Sequence, residues 1–393
     1  MTSFPESSVL KTVPLKFHGV ELKLKTSHAL FSSHHVDDGT MLLLKTLAQR
    51  GAVPPVGRVL DAGCGTGPLA LALKKFRPVL EVVARDRLAL AAAFTAENAR
   101  INGLTIDAAP GLLLNNVPGP WDLIVSNLPA KAGEPVLADF VSRSLGLLAP
   151  GGLVAVVVVE PLSAWFSAQL DAFSAVRVYE EAGGGYRVFH YRPESVPLSS
   201  GPAFPQAYRR AQTPWSVGPL SFVQKTFFGL PNFDLLDYRL LVTLPLLEGW
   251  HLRGDCLVWE PVQGHLASWA DAVLPPGATL HLAGNDALGL AAAGENTRRL
   301  AVVHAVPTLA DVSLGTGSLG SALVQLHTEP EVPWVERTRE SLLRLLAPGA
   351  RVLINGTSTD LTRFLERHQG LRKVSDFRNK GWRVVVLERQ SAN

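Results

Sequence analysis

The sequence predicts an α/β fold made of two tandem, doubly wound, Rossmann-like domains, the second a degenerate duplicate of the first. Three observations carry this. In the first half, short β-rich runs alternate with Ala/Leu-rich helical ones, the pattern of a parallel sheet covered by helices on both faces. The chain, at 393 residues, has room for two domains that each bury a core. Finally, matches between the two halves keep one order at an offset of about 200 residues.

The elements follow in order. "GRVLDAG" reads as a strand and "PLALALKKF" as a helix; "LEVVARD" and "LALAAAFTAENARIN" repeat the pair, and "WDLIVSN" with "DFVSRSLGLL" repeats it again. The turn signal Pro150-Gly151-Gly152 then introduces one more strand, "GGLVAVVVV". From Pro193 to Pro214 the text becomes rich in Pro and Ser and loses periodicity, as a linker does. The expected organisation is therefore a catalytic domain over 1–192, a linker over 193–214 and a second domain over 215–393.

Lys25-Thr26 recurs as Lys225-Thr226, Asp37 as Asp237, Asp86 as Asp286, "ALAAA" from Ala89 as "GLAAA" from Gly289, and "LLAPGG" from Leu147 as "LLAPGA" from Leu345. The copies differ in their loops. "LDAGCGTGPLA" becomes "VWEPVQGHLA", whose only glycine is Gly264, and Leu326-His327-Thr328-Glu329 is expected at the place of Ser126-Asn127-Leu128-Pro129.

Bulk properties exclude several classes. A hydrophobic fraction of 47% with 18% charged residues is that of a globular chain, and a net charge of +3 gives no blanket of positive potential. Cys64 and Cys256 match neither a disulfide framework nor metal-ligand spacing, and the 11 histidines show no paired ligand pattern, so no metal is expected. A reducing, cytoplasmic setting is expected, with no secretory leader in "MTSFPESSVLKTVP" and no membrane partner. The longest apolar run, Leu153 to Val159, is too short to span a bilayer.

Two loops carry the chemistry. In "VLDAGCGTG", Gly63, Gly65 and Gly67 let the backbone approach a ligand and turn into a helix whose free N–H groups point outward. Asp86 ends the next strand about 20 residues on, where a carboxylate accepts both hydroxyls of a ribose or caps the following helix. "SNLPAKAG", Ser126 to Gly133, places Asn and Pro at a strand end, which a plain turn would also favour.

The string "LDAGCGTG" closely resembles the first motif of class I S-adenosylmethionine-dependent methyltransferases. That resemblance implies a cofactor site on Asp61, Gly63, Cys64, Gly65, Gly67 and Asp86, with Asn127 facing it. Amino-group methyltransferases carry Asn/Asp-Pro-Pro-aromatic where this chain has Asn127-Leu128-Pro129-Ala130. An exocyclic amine conjugated to a ring is a poor nucleophile. An Asn side-chain oxygen and the next backbone carbonyl can accept its two N–H groups and aim its lone pair, on a turn that proline stiffens.

Asn127, Leu128 and Pro129 are therefore the catalytic candidates. The family's stacking ring is absent at Ala130, so Phe31 or Trp165 would serve the substrate. The polar contact expected for the adenine falls near Asp107 or on backbone amides.

Upstream, Phe31-Ser32, Asp37-x-Gly39-Thr40 and Leu42-Leu43-Leu44 resemble the segment before the core of the "methyltransferase small" superfamily, over about residues 15 to 192. This superfamily includes bacterial ribosomal RNA guanine-N2 methyltransferases with a tandem degenerate copy. The resemblance implies methyl transfer from S-adenosylmethionine to guanine N2, with ribosomal RNA or a ribosomal particle as partner. Methylation of a protein amide or small molecule, or an inactive RNA-binding or assembly module, are the alternatives. The basic tail from Arg363 to Arg389 either contacts phosphates or is a solvated surface.

Overall fold

The computed structural model describes residues 4–194, 204–326, 328 and 332–391. Among these, the chain divides into two compact units, one over Ser8–Tyr208 and the other from Arg209 onward. The segment read as a linker is shorter than expected. Pro193 still belongs to a strand, residues 195–203 lie outside the described residues, and Arg209–Pro214 pair with Val223–Phe227. Alternating burial along that stretch is what makes it a strand despite its Pro content, since Pro214 sits in a two-stranded ribbon that demands fewer donors.

The first unit opens on an antiparallel hairpin, β1 (Lys11–Phe17) and β2 (Val20–Thr26), whose alternating pattern buries Val13, Leu15, Phe17, Leu22 and Leu24. Helix α1 (Asp38–Gln49) follows, capped by Asp37. Then come β3 (Arg58–Ala62), α2 (Pro68–Phe76), β4 (Glu81–Asp86), α3 (Ala89–Ile101), β5 (Asp107–Pro110), β6 (Trp121–Asn127), α4 (Glu134–Gly146), β7 (Leu148–Val159), α5 (Glu160–Ala172), β8 (Ala175–Gly183) and β9 (Tyr186–Pro193).

The sheet order is β5-β4-β3-β6-β7-β9-β8. The reversal between β3 and β6 puts the ligand crevice at the carboxyl ends of these two strands. The expected parallel sheet is corrected at one edge, where β9 runs antiparallel to both β7 and β8.

Successive residues of each central strand feed opposite cores. Val59, Leu123 and Ala155 pack with α1 and α2, whereas Leu60, Ile124 and Val154 pack with α4 and α5.

The second unit repeats this plan with a hairpin, β10 (Arg209–Val217) and β11 (Leu220–Phe227), then α6 (Tyr238–Leu247), β12 (Cys256–Trp259), α7 (His265–Val273), β13 (Leu280–Gly284), α8 (Ala287–Asn296), β14 (Val302–Ala305), β15 (Leu319–Gln325), α9 (Trp334–Leu345), β16 (Leu346–Thr357), α10 (Ser358–Leu365), β17 (Leu371–Asn379) and β18 (Trp382–Arg389). Its order, β14-β13-β12-β15-β16-β18-β17, is the same as that of the first sheet.

The recurrence extends to side chains. Asn98 exchanges hydrogen bonds with the Lys25 backbone and also donates to the Thr66 carbonyl at 2.9 Å, while Lys25 pairs with Glu97 at 2.7 Å. Asn296 does the same for Lys225 and the Gln263 carbonyl, and Lys225 pairs with Glu295. In each unit an Asn thus ties the opening hairpin to the loop after the first central strand, which is why the Lys-Thr pair marks both halves.

Most of the basic tail is satisfied internally. Arg372 pairs with Glu388 at 2.6 Å, Lys373 and Arg383 with Asp376, Arg367 with Glu336, and Arg389 donates to the Leu346 carbonyl. Lys380 lies over the Tyr238 ring. Exposed pairs of this kind contribute little to stability, but they neutralise the excess charge that phosphate contacts would use. No helix among the described residues is long and apolar enough to cross a membrane.

Candidate active site

The glycine loop after β3 is pinned to β4: the Gly63 and Cys64 N–H groups both donate to the Arg85 carbonyl, and the Gly67 N–H donates to Cys64. The loop after β12 follows the same path, with Glu260 N–H on the Ala283 carbonyl and Gly264 N–H on Pro261. This sets Glu260 and Val262 at the places of Gly63 and Gly65, and Gly264 at that of Gly67.

The backbone angles agree, with φ of 89°, 56° and 90° in the first loop against 53°, 53° and 92° in the second. A side chain at positive φ is strained but attainable, as Glu260 and Val262 show. The glycines therefore do different jobs. At Gly67 a Cβ would run into Leu71 and Thr95, and at Gly264 it would meet the Ala293 backbone, so this glycine serves packing. At Gly65 nothing lies within 4 Å, and at Gly63 the nearest atoms are 3.9 Å away. The fold leaves that space open, and a ligand gives a reason, beyond relief of backbone strain, to keep it so.

Gly67→Ala is accordingly expected to destabilise the first unit by about 1–3 kcal/mol, read from urea unfolding. Gly65→Ala is expected to destabilise less, by about 1 kcal/mol of backbone strain alone, while weakening cofactor binding in calorimetry. Equal destabilisation by both would contradict the assignment.

Asp61 sits beneath this loop with no exposed surface. Its Oδ2 accepts the Ala70 N–H at 3.0 Å, and its Oδ1 is buried with no partner. Burial first, and the neighbouring Asp86 charge to a lesser degree, push its pKa up to about 7 against the Ala70 hydrogen bond. An unpaired buried acid is unfavourable alone and suits a site that receives a cation. By strand register, Val258 stands at this place in the second unit.

Asp86 holds the loop from the other side. Its Oδ2 accepts the Gly65 N–H at 2.8 Å and its Oδ1 the Leu88 N–H at 2.8 Å, so it starts α3 and also faces the loop. Asp286 keeps the α8 half of this role, accepting from Leu288.

Cys64 is buried, with its thiol raised well above the usual range by desolvation first and then by Asp86 and Asp61. Only its backbone is available to a ligand. Asp107, a sequence candidate for the adenine, is instead at the start of β5 and ion-paired with Arg85 at 2.8 Å. Leu113, which sequence reasoning missed, and the Ser126 hydroxyl are the side chains nearest the Gly63 position, both at 3.9 Å.

At the end of β6 the Asn127 side chain is held on its nitrogen. Nδ2 donates to Asp37 Oδ2 at 2.8 Å and to Thr40 Oγ1 at 3.1 Å, and its Oδ1 has no partner among the described residues. Leu128 is buried and its N–H donates to Val157, but its carbonyl accepts nothing among the described residues. Pro129 is extended at φ −72°, ψ 110° and leads into a 3-10 turn, Ala130–Ala132. Two acceptors at the end of β6, the strand beside β3 and its glycine loop, are thus left without a donor among the described residues.

Strand pairing corrects one expectation. Gln325 pairs with Asn355 as Asn127 pairs with Val157, and Leu326 donates to Asn355 as Leu128 does to Val157. The second unit's counterpart of Ser126-Asn127-Leu128 is therefore Val324-Gln325-Leu326, two residues earlier than the expected Leu326-His327-Thr328-Glu329. The unmatched loop lengths hide this in the text. His327 and Glu329 lie outside the described residues.

Of the two rings proposed for the substrate, Phe31 is 72% exposed, on a loop that Ser32 closes by donating to the His35 carbonyl. Trp165 is half-buried and packs against the core that contains Phe166 and Tyr191. Ala130 is exposed and offers no ring. No group of metal-ligating side chains occurs among the described residues.

Residues 21–190 match the family model described as the methyltransferase small domain. A small-subunit ribosomal RNA methyltransferase C of Pasteurella multocida is 33% identical over 141 residues, 35% of this chain and 42% of that relative. The corresponding protein of Psychromonas ingrahamii is 28% identical over 186 residues, 46% of this chain and 52% of its own. The chain thus spans about half the length of these curated relatives. A release factor glutamine methyltransferase of Deinococcus radiodurans is 49% identical over 72 residues, 18% of this chain and 26% of that one. Among solved structures, a Thermus thermophilus 16S rRNA N2 G1207 methyltransferase, in complex with AdoMet and guanosine, overlays with a TM-score of 0.64 at 18% identity, covering 98% of this chain and 99% of that one. At this identity the overlay establishes the two-unit fold.

Proposed function

From the methyltransferase small domain that residues 21–190 form, we propose that this chain transfers a methyl group from S-adenosylmethionine to guanine N2 of small-subunit ribosomal RNA. The observation that carries this reading is the Asn127 amide. Asp37 and Thr40 occupy its nitrogen, so its oxygen and the Leu128 carbonyl are left as paired acceptors at the mouth of the crevice. Two acceptors suit a primary amine with two N–H donors, and they have nothing to offer a hydride or a phosphoryl group.

Glycines 63 and 65 and the buried, unpaired Asp61 fit a cationic cofactor, which supplies the electrophilic methyl group when bound. Asp86, which accepts the Gly65 N–H, would be the carboxylate for a ribose. The chain's own residues bind, orient and exclude water. Asn127 Oδ1 and the Leu128 carbonyl draw on the amine hydrogens, turning the nitrogen lone pair out of the ring plane and toward the methyl. With the cofactor bound, transfer would form the N–C bond at the expense of the cofactor's C–S bond and leave a nitrogen acidic enough to lose its proton to water, so the chain need supply no strong base. Phe31 is the exposed ring available to stack on the base.

The names and substrates of the similar proteins support a ribosomal RNA target. The 72-residue match to the glutamine methyltransferase supports a glutaminyl amide as the second reading, since its NH2 group also carries two N–H donors and a lone pair delocalised by conjugation.

Nucleoside mass spectrometry decides between them. Ribosomal RNA from a strain lacking the gene is expected to gain N2-methylguanosine on treatment with the purified chain and the cofactor. An unchanged nucleoside profile would sink the RNA reading, and a methylated glutamine in the translation factors would replace it.

A further inference from the structure

We propose that Asp37 is a positioning residue for methyl transfer, which holds the Asn127 amide in the one orientation that presents its oxygen to the substrate amine. This role rests on the functional reading above. The two ends of an Asn side chain are nearly the same size, so shape alone does not choose between presenting oxygen and presenting nitrogen. A carboxylate does choose. It only accepts hydrogen bonds, so the amide nitrogen must face it at 2.8 Å, and the flipped amide would set oxygen against oxygen.

Asp37 is itself fixed by two further donors. The Thr40 N–H reaches Oδ2 at 3.0 Å, and the Tyr186 hydroxyl reaches Oδ1 at 2.8 Å. Gly39 makes room for this arrangement, because a Cβ there would lie 2.6 Å from the Tyr186 ring and 2.9 Å from Asp37 Oδ2.

The second unit separates this role from helix capping. Asp237 caps α6 through the Leu240 N–H at 2.6 Å, as Asp37 caps α1, but its Oδ2 accepts from Asn232. There Gln325 takes the place of Asn127, Leu240 that of Thr40, and by strand register Trp382 that of Tyr186. A capping Asp needs none of these three partners. They occur together only in the unit that presents an Asn to the crevice.

The test uses Asp37→Ser and Asp37→Asn in the full chain, with 16S ribosomal RNA from a strain lacking the gene as substrate. Serine is a good N-cap, but its short hydroxyl cannot also reach Asn127. Asp37→Ser is expected to keep the unfolding midpoint, the cofactor affinity and the KM for RNA, while kcat falls about 10- to 100-fold, the usual penalty for a misaligned reacting group. Asp37→Asn is expected to restore kcat. Its carbonyl can accept from Thr40 and Asn127 while its amide donates to the Tyr186 hydroxyl, which can accept instead of donate.

Tyr186→Phe, which leaves the cap in place, is expected to lose kcat in the same direction by a smaller factor. It keeps the test decisive should Asp37→Ser unfold. Unchanged kcat in Asp37→Ser or in Tyr186→Phe overturns the role, as does a loss of cofactor affinity matching the loss of kcat. If the unaltered chain transfers no methyl group, the functional reading falls and this role with it. If Asn127→Ala is inactive while Asp37→Ser is fully active, only the role of Asp37 falls.

Discussion

Asn127→Ala is expected to lower the rate of methyl transfer by on the order of 10²- to 10³-fold, the range found when one preorganised hydrogen-bonding group is removed from an active site. Cofactor affinity should change little, because Asp61, Asp86 and the glycine loop are untouched. The fold should persist, since Asn127 is only half-buried and α1 keeps its cap through the Asp37–Thr40 bond. Single-turnover transfer of a labelled methyl group, with calorimetry on the same preparation, separates the two effects.

Asn127→Asp should fare no better. The new carboxylate would face Asp37 at about hydrogen-bonding distance, and two like charges there force one to hold a proton. An active Asn127→Ala enzyme would remove the amide from the chemistry altogether.

Asp61→Asn is expected to act in opposite directions on stability and on binding. Burial holds the pKa of Asp61 at about 7 in the folded chain, well above the ordinary aspartate range. A raised acid pKa means the folded state prefers the protonated form. The penalty for ionising it is therefore absent below about pH 4, grows as pH rises toward 7 and is constant above that. The penalty is on the order of a few kcal/mol, and the variant recovers only part of it, since the new amide also needs a buried partner. Asp61→Asn should thus remove this site's share of the fall in melting temperature expected of the unaltered chain between pH 4 and 7.

In the same variant, cofactor binding should weaken by at least about tenfold at pH 8, because a charge-assisted interaction is replaced by a neutral one. The unaltered chain should bind more tightly as pH rises through about 7. A variant that binds as tightly as the parent would show that the buried charge has no part in cofactor binding.

Residue patterns made much of this legible in advance. The runs from "GRVLDAG" to "GGLVAVVVV" each became the expected element, because strands buried on both faces must be continuously apolar and helices covering them must be amphipathic. The edge hairpin β8–β9 was not legible as antiparallel. Nothing in "YRVFHYR" specifies its direction, which follows from the two-residue turn at Gly184-Gly185. The glycine loop, Asp86 and Asn127 could be located by spacing, since they lie within a few residues of strand ends.

Asp37 and Tyr186 could not be joined that way. They are 149 positions apart, and only the packing of α1 against the start of β9 brings carboxylate and hydroxyl to 2.8 Å. For the same reason the loops could not show which of their glycines are there for packing and which for a ligand. That distinction needed the neighbours of each missing Cβ.

By itself, then, the sequence determined the two-unit α/β plan, the loops that face a ligand and the residues at the strand ends, because these depend on local periodicity and turn chemistry. The tertiary structure alone decided the orientation of the Asn127 amide, the unpaired state of Asp61 and the register that sets Gln325 at the place of Asn127. Each of those depends on which distant side chain supplies, or fails to supply, a hydrogen-bond partner, and no one-dimensional pattern records that.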